Sequence, residues 1–241
     1  MRAETRHQLK QDRFSRATFG AAEATVHWTV EHQSKLIIGA VALAVVLAAT
    51  FGGWYYLNQQ DQKASIQLNQ ALRTLDTPVL PAGAPAEPDV KTFASDKERA
   101  TQAHKQFQTI VDSYPHTRTA EFARYFLGLT SSQLGDSAAA ERDLKEVSSS
   151  HNEDLAALAK MALTTVYRNN NRTKDAIDLY NALIAKPTRS VGKTTAQMEL
   201  AETYKSSQQP AEAKRVYEQM QKENPASEVA QFATQKLQEL K

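Results

Sequence analysis

The feature that most constrains this 241-residue chain is one uncharged apolar run, Leu36–Leu57. The run contains 22 residues, and its only ionisable side chains are two tyrosines near its C-terminal end. As an α-helix it would be about 33 Å long, enough to cross a hydrocarbon core of about 30 Å. It therefore predicts one transmembrane helix, and every other segment must lie on one side of a membrane or the other.

Basic residues flank the run mostly on its N-terminal side. Six Lys or Arg precede it: Arg2, Arg6, Lys10, Arg13, Arg16 and Lys35. The stretch 58–75 carries only Lys63 and Arg73. Because short basic flanks stay in the cytoplasm, we predict a cytoplasmic N-terminus and an exported C-terminal domain, with Trp54–Tyr56 at the outer interface.

Two other interpretations of the run agree less well with the sequence. A cleaved signal peptide has a shorter apolar core and a small-x-small cleavage site, whereas residues 50–54 here read TFGGW. A core helix of a soluble domain normally has one polar face, and this run has none. We therefore predict an uncleaved signal anchor.

The composition favours an all-helical exterior domain, since glycine is sparse and Ala, Gln, Glu, Lys and Leu are abundant. The chain has no cysteine, which excludes disulfides, metal–thiolate sites and cysteine nucleophiles. A net charge of +2, with acidic and basic residues interspersed, does not indicate a nucleic-acid partner. The six histidines show no ligand spacing, so we expect no metal and no cofactor.

The segments on either side of the run are polar. Residues 1–35 form a cytoplasmic tail, in which Phe14, Ala21 and Trp28 are seven residues apart. An interfacial amphipathic helix and a loosely helical or disordered tail both fit this pattern. Residues 58–92 are predicted as a juxtamembrane helix followed by a linker, because four of the eight prolines fall within 77–89.

An internal repeat begins near Phe93 and runs to residue 241. Four alanines recur at spacings of 36 or 37 residues: Ala103, Ala140, Ala176 and Ala213. Large apolar residues follow each alanine by four and by seven positions. They are Phe107, Leu144, Tyr180, Tyr217, Ile110, Val147, Leu183 and Met220.

A second motif precedes the last three alanines by thirteen residues. It is a leucine followed by a small residue: Leu127–Gly128, Leu163–Thr164 and Leu200–Ala201. A period of this length, with two antiparallel helices in each unit, is typical of a helical solenoid. The last segment, Ser227–Leu240, is predicted to be a capping helix.

These motifs resemble the tetratricopeptide repeat, most clearly over Tyr114–Asp136, and the resemblance covers three full repeats and one partial repeat within 93–241. The fold class predicted is therefore all-α, a single transmembrane helix followed by a tetratricopeptide-like solenoid. The chain departs from the family where the repeat has tryptophan, since Arg124, Lys160 and Gln197 occupy that place.

The resemblance implies that the first helix of each repeat lines a concave groove that binds other proteins. Carried over position by position, the groove residues are Phe122, Tyr125, Leu129, Leu158, Met161, Arg168 and Met198. An apolar surface containing methionine suits adaptable binding of extended segments. The alternative is that 58–75 folds back and fills the groove.

No catalytic constellation accompanies these patterns, and we predict that the chain is not an enzyme. Gly192–Thr195 looks like the end of a phosphate-binding loop, but Pro187 occupies the place of the glycine that this loop needs. An inter-repeat turn followed by a helix is the simpler interpretation.

The apolar run contains a second pattern, in which small residues recur every four positions. They are Ala40, Ala44, Ala48 and Gly52. Such a strip allows close helix–helix packing in lipid, against another membrane protein or a second copy of the chain. Alanine is common in membrane helices, so chance explains the strip about equally well.

The whole architecture resembles the ancillary SecYEG translocon subunit (YfgM-like) family of bacteria. That resemblance implies a single-pass protein of the inner membrane with a periplasmic domain. Its implied partners are the translocon, exported chains and periplasmic chaperones. The competing interpretation is a cell-envelope assembly scaffold of the Tol–Pal or outer-membrane assembly type, which uses its repeats as a docking platform.

Overall fold

The computed structural model describes residues 32–80, 91–223 and 225–240. Within these ranges the secondary structure consists of nine α-helices and one isolated β-bridge, which confirms the predicted all-α class. The pattern for which an interfacial helix and a disordered tail are alternatives, Phe14 to Trp28, falls in residues 1–31, outside the described residues.

From the second helix onward, short connections join each helix to the next. Their bounds are α1 Gln33–Asp76, α2 Asp96–Ser113, α3 Arg118–Gln133, α4 Ser137–Val147, α5 Glu153–Asn169, α6 Thr173–Ala185, α7 Lys193–Ser206, α8 Pro210–Glu223 and α9 Glu228–Glu239. The chain divides into two compact units, Met1–Tyr56 and Leu57–Lys241, so the division falls inside α1.

In the first unit, the described residues that belong to α1 form one exposed apolar helix. Its most apolar window has no buried residue, and the helix is long and apolar enough to be a candidate membrane span. The Thr50 hydroxyl is satisfied within the helix, because Thr50 Oγ1 lies 3.0 Å from the carbonyl oxygen of Val46. Such a bond lets threonine reside in an apolar environment.

The second unit begins with the C-terminal part of α1, which packs as the first helix of a helix pair with α2. Ala64 and Ala71 are fully buried and share a core cluster with Phe107 and Ile110 of α2. The same cluster includes Ala123 and Leu127 of α3, so α1, α2 and α3 surround one shared core. The segment predicted as juxtamembrane thus contributes to the core of the second unit.

Hydrogen bonds hold this first helix against its neighbours. The Asp61 carboxylate accepts the backbone N–H of Thr119 at 2.9 Å, in the first turn of α3, where a negative charge is favoured by the helix dipole. Gln67 Nε2 donates to the Tyr114 hydroxyl at 2.9 Å. Both contacts connect the C-terminal part of α1 to residues more than forty positions later.

The proline-rich segment connects the two helices of that first pair. Its ends are joined by a parallel bridge between Val79 and Phe93, with the N–H of Leu80 3.0 Å from the Phe93 carbonyl and the N–H of Phe93 3.0 Å from the Pro78 carbonyl. Arg99 also donates to the Thr77 carbonyl at 3.1 Å. Residues 81–90, the central part of the predicted linker, lie outside the described residues.

Three more helix pairs follow, α3/α4, α5/α6 and α7/α8, and α9 packs on α8 at the C-terminal end. From α2 onward each helix contacts the next one, and α3 also contacts α5. The helix predicted at the C-terminal end is present, with Ser227 as its N-cap. Its half-buried Phe232 lies edge-on to Tyr217, so α9 covers the last pair.

The repeat register read from the sequence is confirmed by burial. The four alanines are each 0% exposed, and the eight large residues that follow them are at most 3% exposed. In each full pair, the small residue of the first helix faces the large residue of the second. Gly128 lies against Leu144, and Thr164 Oγ1 lies 2.9 Å from the Tyr180 hydroxyl.

A double-mutant cycle at Gly128 and Leu144 tests this contact. A Cβ added at Gly128 would lie 2.6 Å from Leu144 Cγ, so Gly128→Ala should destabilise the fold by about 1–3 kcal/mol despite its better helix propensity. Leu144→Ala alone should cost about 2–5 kcal/mol. The double variant, measured by chemical denaturation, should lose less than the sum; strict additivity would show that the two residues do not meet.

The contribution of α1 to the second unit predicts a difference between two soluble fragments. Fragment 93–241 loses the surface that covers Phe107 and Ile110, whereas fragment 57–241 keeps it. Exposure of two such side chains costs about 3–6 kcal/mol, so the shorter fragment should melt about 10 °C lower in circular dichroism. Equal melting temperatures would show that the α1 contacts do not stabilise the repeats.

Candidate protein-binding groove

The predicted groove residues lie on the first helices of three successive pairs, α3, α5 and α7. Within each helix they are three, four or seven positions apart, so they form a strip along one face. We use the name groove strip for Phe122, Tyr125, Leu129, Leu158, Met161, Arg168 and Met198. Phe122 is exposed and the other six are half-buried, so none is locked inside the core.

Two strip residues on different helices, Tyr125 and Met161, share one core. Both pack against the cluster formed around Leu144, Leu163 and Tyr180. The Tyr125 ring also meets the edge of Phe126 at 5.3 Å between ring centroids. Burial raises the pKa of Tyr125, and its hydroxyl has no hydrogen-bond partner among the described residues.

An unpartnered phenol hydroxyl on a partly exposed face has a chemical consequence. The Tyr125 hydroxyl is not one of the buried unpartnered polar atoms, so it reaches the surface, where it can donate to an acceptor such as a peptide carbonyl. Phe122 lies one helical turn before Tyr125 on the same face and keeps 37% of its surface exposed. Together they offer an apolar ring and a hydrogen-bond donor.

Leu158 packs, together with Met161, against a smaller cluster at the junction of α5, α6 and α7. Met198 instead contacts the C-terminal cluster that contains Tyr217 and Met220. The strip therefore rests on successive cores. Tyr125 and Met161 share one core cluster, Leu158 and Met161 share a second, and Met198 rests on a third.

Arg168, at the polar end of the strip, is already partly engaged. Its guanidinium lies 3.4 Å from the Glu199 carboxylate of α7, and the side chain is 34% exposed. This pair connects α5 to α7 across the strip. An exposed ion pair of this length contributes little to stability, so Arg168 can exchange Glu199 for a ligand carboxylate at small cost.

The C-terminal part of α1 does not occupy the strip. Its buried residues pack against Ala103 and Phe107 of α2 and against Ala123 and Leu127 of α3. That cluster contains none of the groove strip residues. The structure therefore places 57–76 in the stack as a helix of the first pair, contrary to the fold-back alternative.

The small residues of the apolar run occupy one face of α1, and Ala40, Ala44, Ala48 and Gly52 are exposed. A Cβ built at Gly52 would meet nothing within 4 Å. The structure thus leaves this face open in the first unit. Among the described residues, no group of three or more His, Cys, Asp or Glu is placed to hold a metal ion.

Comparison with known protein families shows the family to which the chain belongs. A family profile described as "Tetratricopeptide repeat-like domain" matches residues 26–241. The chain belongs to this family. No curated protein and no solved structure matches it. The matched region of this tetratricopeptide repeat-like protein includes the apolar part of α1 as well as all four helix pairs.

Sequence reasoning missed the first helix of the tetratricopeptide repeat-like stack. The available signal was the pair Ala64 and Ala71, seven residues apart with Leu68 and Leu75 beside them, which marks a close-packing face. The long insertion before α2 separates this face from its partner helix. That insertion removes the fixed spacing by which the other three pairs are recognised.

Proposed function

We propose that this tetratricopeptide repeat-like protein is a membrane-anchored protein-interaction module that holds extended segments of other proteins along the groove strip. The observation that carries the proposal is the partly exposed apolar strip, with the Tyr125 hydroxyl on α3 accessible as a hydrogen-bond donor. Extended chains supply apolar side chains and free carbonyls, which match the two features. Membership of the family supports protein binding as the general role.

The proposed location is a bacterial inner membrane, with the N-terminus in the cytoplasm and the repeats outside it. The candidate span in α1 and the excess of Lys and Arg before it support this orientation. In this position the module would bind chains emerging from the SecYEG translocon and pass them to periplasmic chaperones. The resemblance of the whole architecture to the ancillary translocon subunits is the basis for naming these partners.

A crosslinking experiment with a matched control tests the groove. The full-length protein would carry a photoreactive amino acid at Leu129 in cells, which keeps the Tyr125 hydroxyl, and separate variants would also carry Phe122→Glu or Ile66→Glu. Both positions are exposed apolar residues, but Ile66 lies outside the strip and is 70% exposed. Phe122→Glu should reduce crosslinked product about fivefold or more, and Ile66→Glu should leave it unchanged.

The pattern of products separates the two functional classes. Many exported chains of different size indicate a chaperone-like factor beside the translocon. One stoichiometric partner indicates an envelope assembly scaffold. Equal yields from the Phe122→Glu variant and the unmodified protein would contradict binding along the strip.

We further propose that the strip of small residues in α1 packs against a second membrane helix. Ala44→Leu with Ala48→Leu fills that face, and should reduce co-purification of the membrane partner or of a second, differently tagged copy. The matched control is Ala42→Leu with Ala49→Leu, which adds the same volume on another face of the helix. Equal recovery from both double variants would contradict a specific packing face.

A further inference from the structure

A cavity of about 340 Å³ opens beside the second full helix pair, outside the groove strip. Its walls come from the turn 148–151, from α5 and from α6. The α5 wall includes Lys160, the α6 wall includes Ala182, and Lys186 lies at the C-cap of α6. The volume is large enough for a small ligand or for one charged group of a larger one.

Lys160 occupies a position that recurs in the repeats. Arg124, Lys160 and Gln197 each stand sixteen residues before the repeat alanine of their own pair. They are also the residues found where the family resemblance implies tryptophan. Each of the three lines a cavity, so the cavities lie where the tryptophan ring would otherwise fill space.

In the pairs on either side, the recurring position is satisfied by an acid from the second helix of the same pair. Arg124 lies 2.9 Å from the Glu146 carboxylate, and 3.8 Å from the buried Asp143. Gln197 is 2% exposed and donates to Glu223 at 3.0 Å. Lys193 also binds Glu223 at 2.7 Å and is the main reason why the pKa of Glu223 falls to about 2.

The second full pair lacks both of these acids. Ala182 stands where the preceding pair has Glu146, six residues after the repeat alanine, and Lys186 stands where the last pair has Glu223, ten residues after it. Lys160 is half-buried and has no hydrogen-bond or ion-pair partner among the described residues. Its ammonium group is therefore left without the counter-charge that the neighbouring pairs provide.

Two other polar side chains around the cavity are also available as hydrogen-bond donors. The side chains of Ser149 and His151 have no partner among the described residues. The nearby acids are already engaged, because Glu153 binds Lys186 at 2.7 Å and Asp154 accepts the N–H of Ser190 at 3.0 Å. The hydrogen bond from the Ser190 backbone lowers the pKa of Asp154, which keeps that carboxylate ionised.

We propose that this cavity is a binding site for an oxyanion, a carboxylate or phosphate group, held by Lys160 with Ser149 and His151 as neutral donors. A charge-assisted hydrogen bond to the Lys160 ammonium is stronger than one between neutral groups. The ligand would supply the acceptor that Glu146 and Glu223 supply in the adjacent pairs. The site is separate from the groove strip and does not depend on the function proposed for the strip.

The test is calorimetric titration of the full-length protein in a non-ionic detergent with inorganic phosphate and, separately, with acetate. Chloride holds the ionic strength constant. Lys160→Gln should weaken binding of the preferred anion about tenfold or more, and Lys160→Arg should retain it. Lys174→Gln, at an exposed lysine of α6 outside the cavity, is the matched control and should bind as the unmodified protein does.

A second variant tests the same idea by adding a group. Ala182→Glu places an internal carboxylate where Glu146 stands in the preceding pair, so it should abolish anion binding while the helical circular dichroism signal is kept. Tighter binding of phosphate than acetate, or the reverse, identifies which oxyanion the cavity prefers. Absence of titratable binding, or equal binding by Lys160→Gln and Lys174→Gln, would overturn the proposal.

Discussion

Close contact between a small residue on one helix and a large residue on the next is the interaction on which the stack depends. A single helix pair cannot bury its own apolar face, so each pair must fit both its partner helix and the next pair. Gly128 against Leu144 shows how little space remains, since one added carbon would overlap the leucine. Thr164 with Tyr180 adds a hydrogen bond at the corresponding place in the next pair.

The same constraint explains what could be predicted from the sequence. The register of three pairs could be predicted from the alanines at spacings of 36 or 37 and from the large apolar residues that follow them. Each of these residue types has a packing role that tolerates little change. The first pair obeys the same physics, with Ala64 and Ala71 fully buried, but its two helices are separated by an insertion. Periodicity cannot reveal a pair whose spacing differs from the others.

The candidate sites were predictable to different degrees. The resemblance to the tetratricopeptide repeat assigns the strip from Phe122 to Met198, because the inward positions of that family recur at helical spacing. Pairing between helices could not be assigned in this way. The Arg124 contacts with Asp143 and Glu146, and the missing acceptor for Lys160, depend on which side chains meet across a pair. The separation of two residues in the sequence does not show whether their side chains are in contact.

The bridge between Val79 and Phe93 has a consequence for how the chain can change over evolutionary time. Two backbone hydrogen bonds of 3.0 Å connect the residues just after α1 to Phe93, just before α2. Because these two ends are connected, adding residues between them raises the entropic cost of closing the loop only logarithmically. The segment is therefore a place where length can drift, or where a reporter sequence can be grafted, while the register of the surrounding helices is preserved.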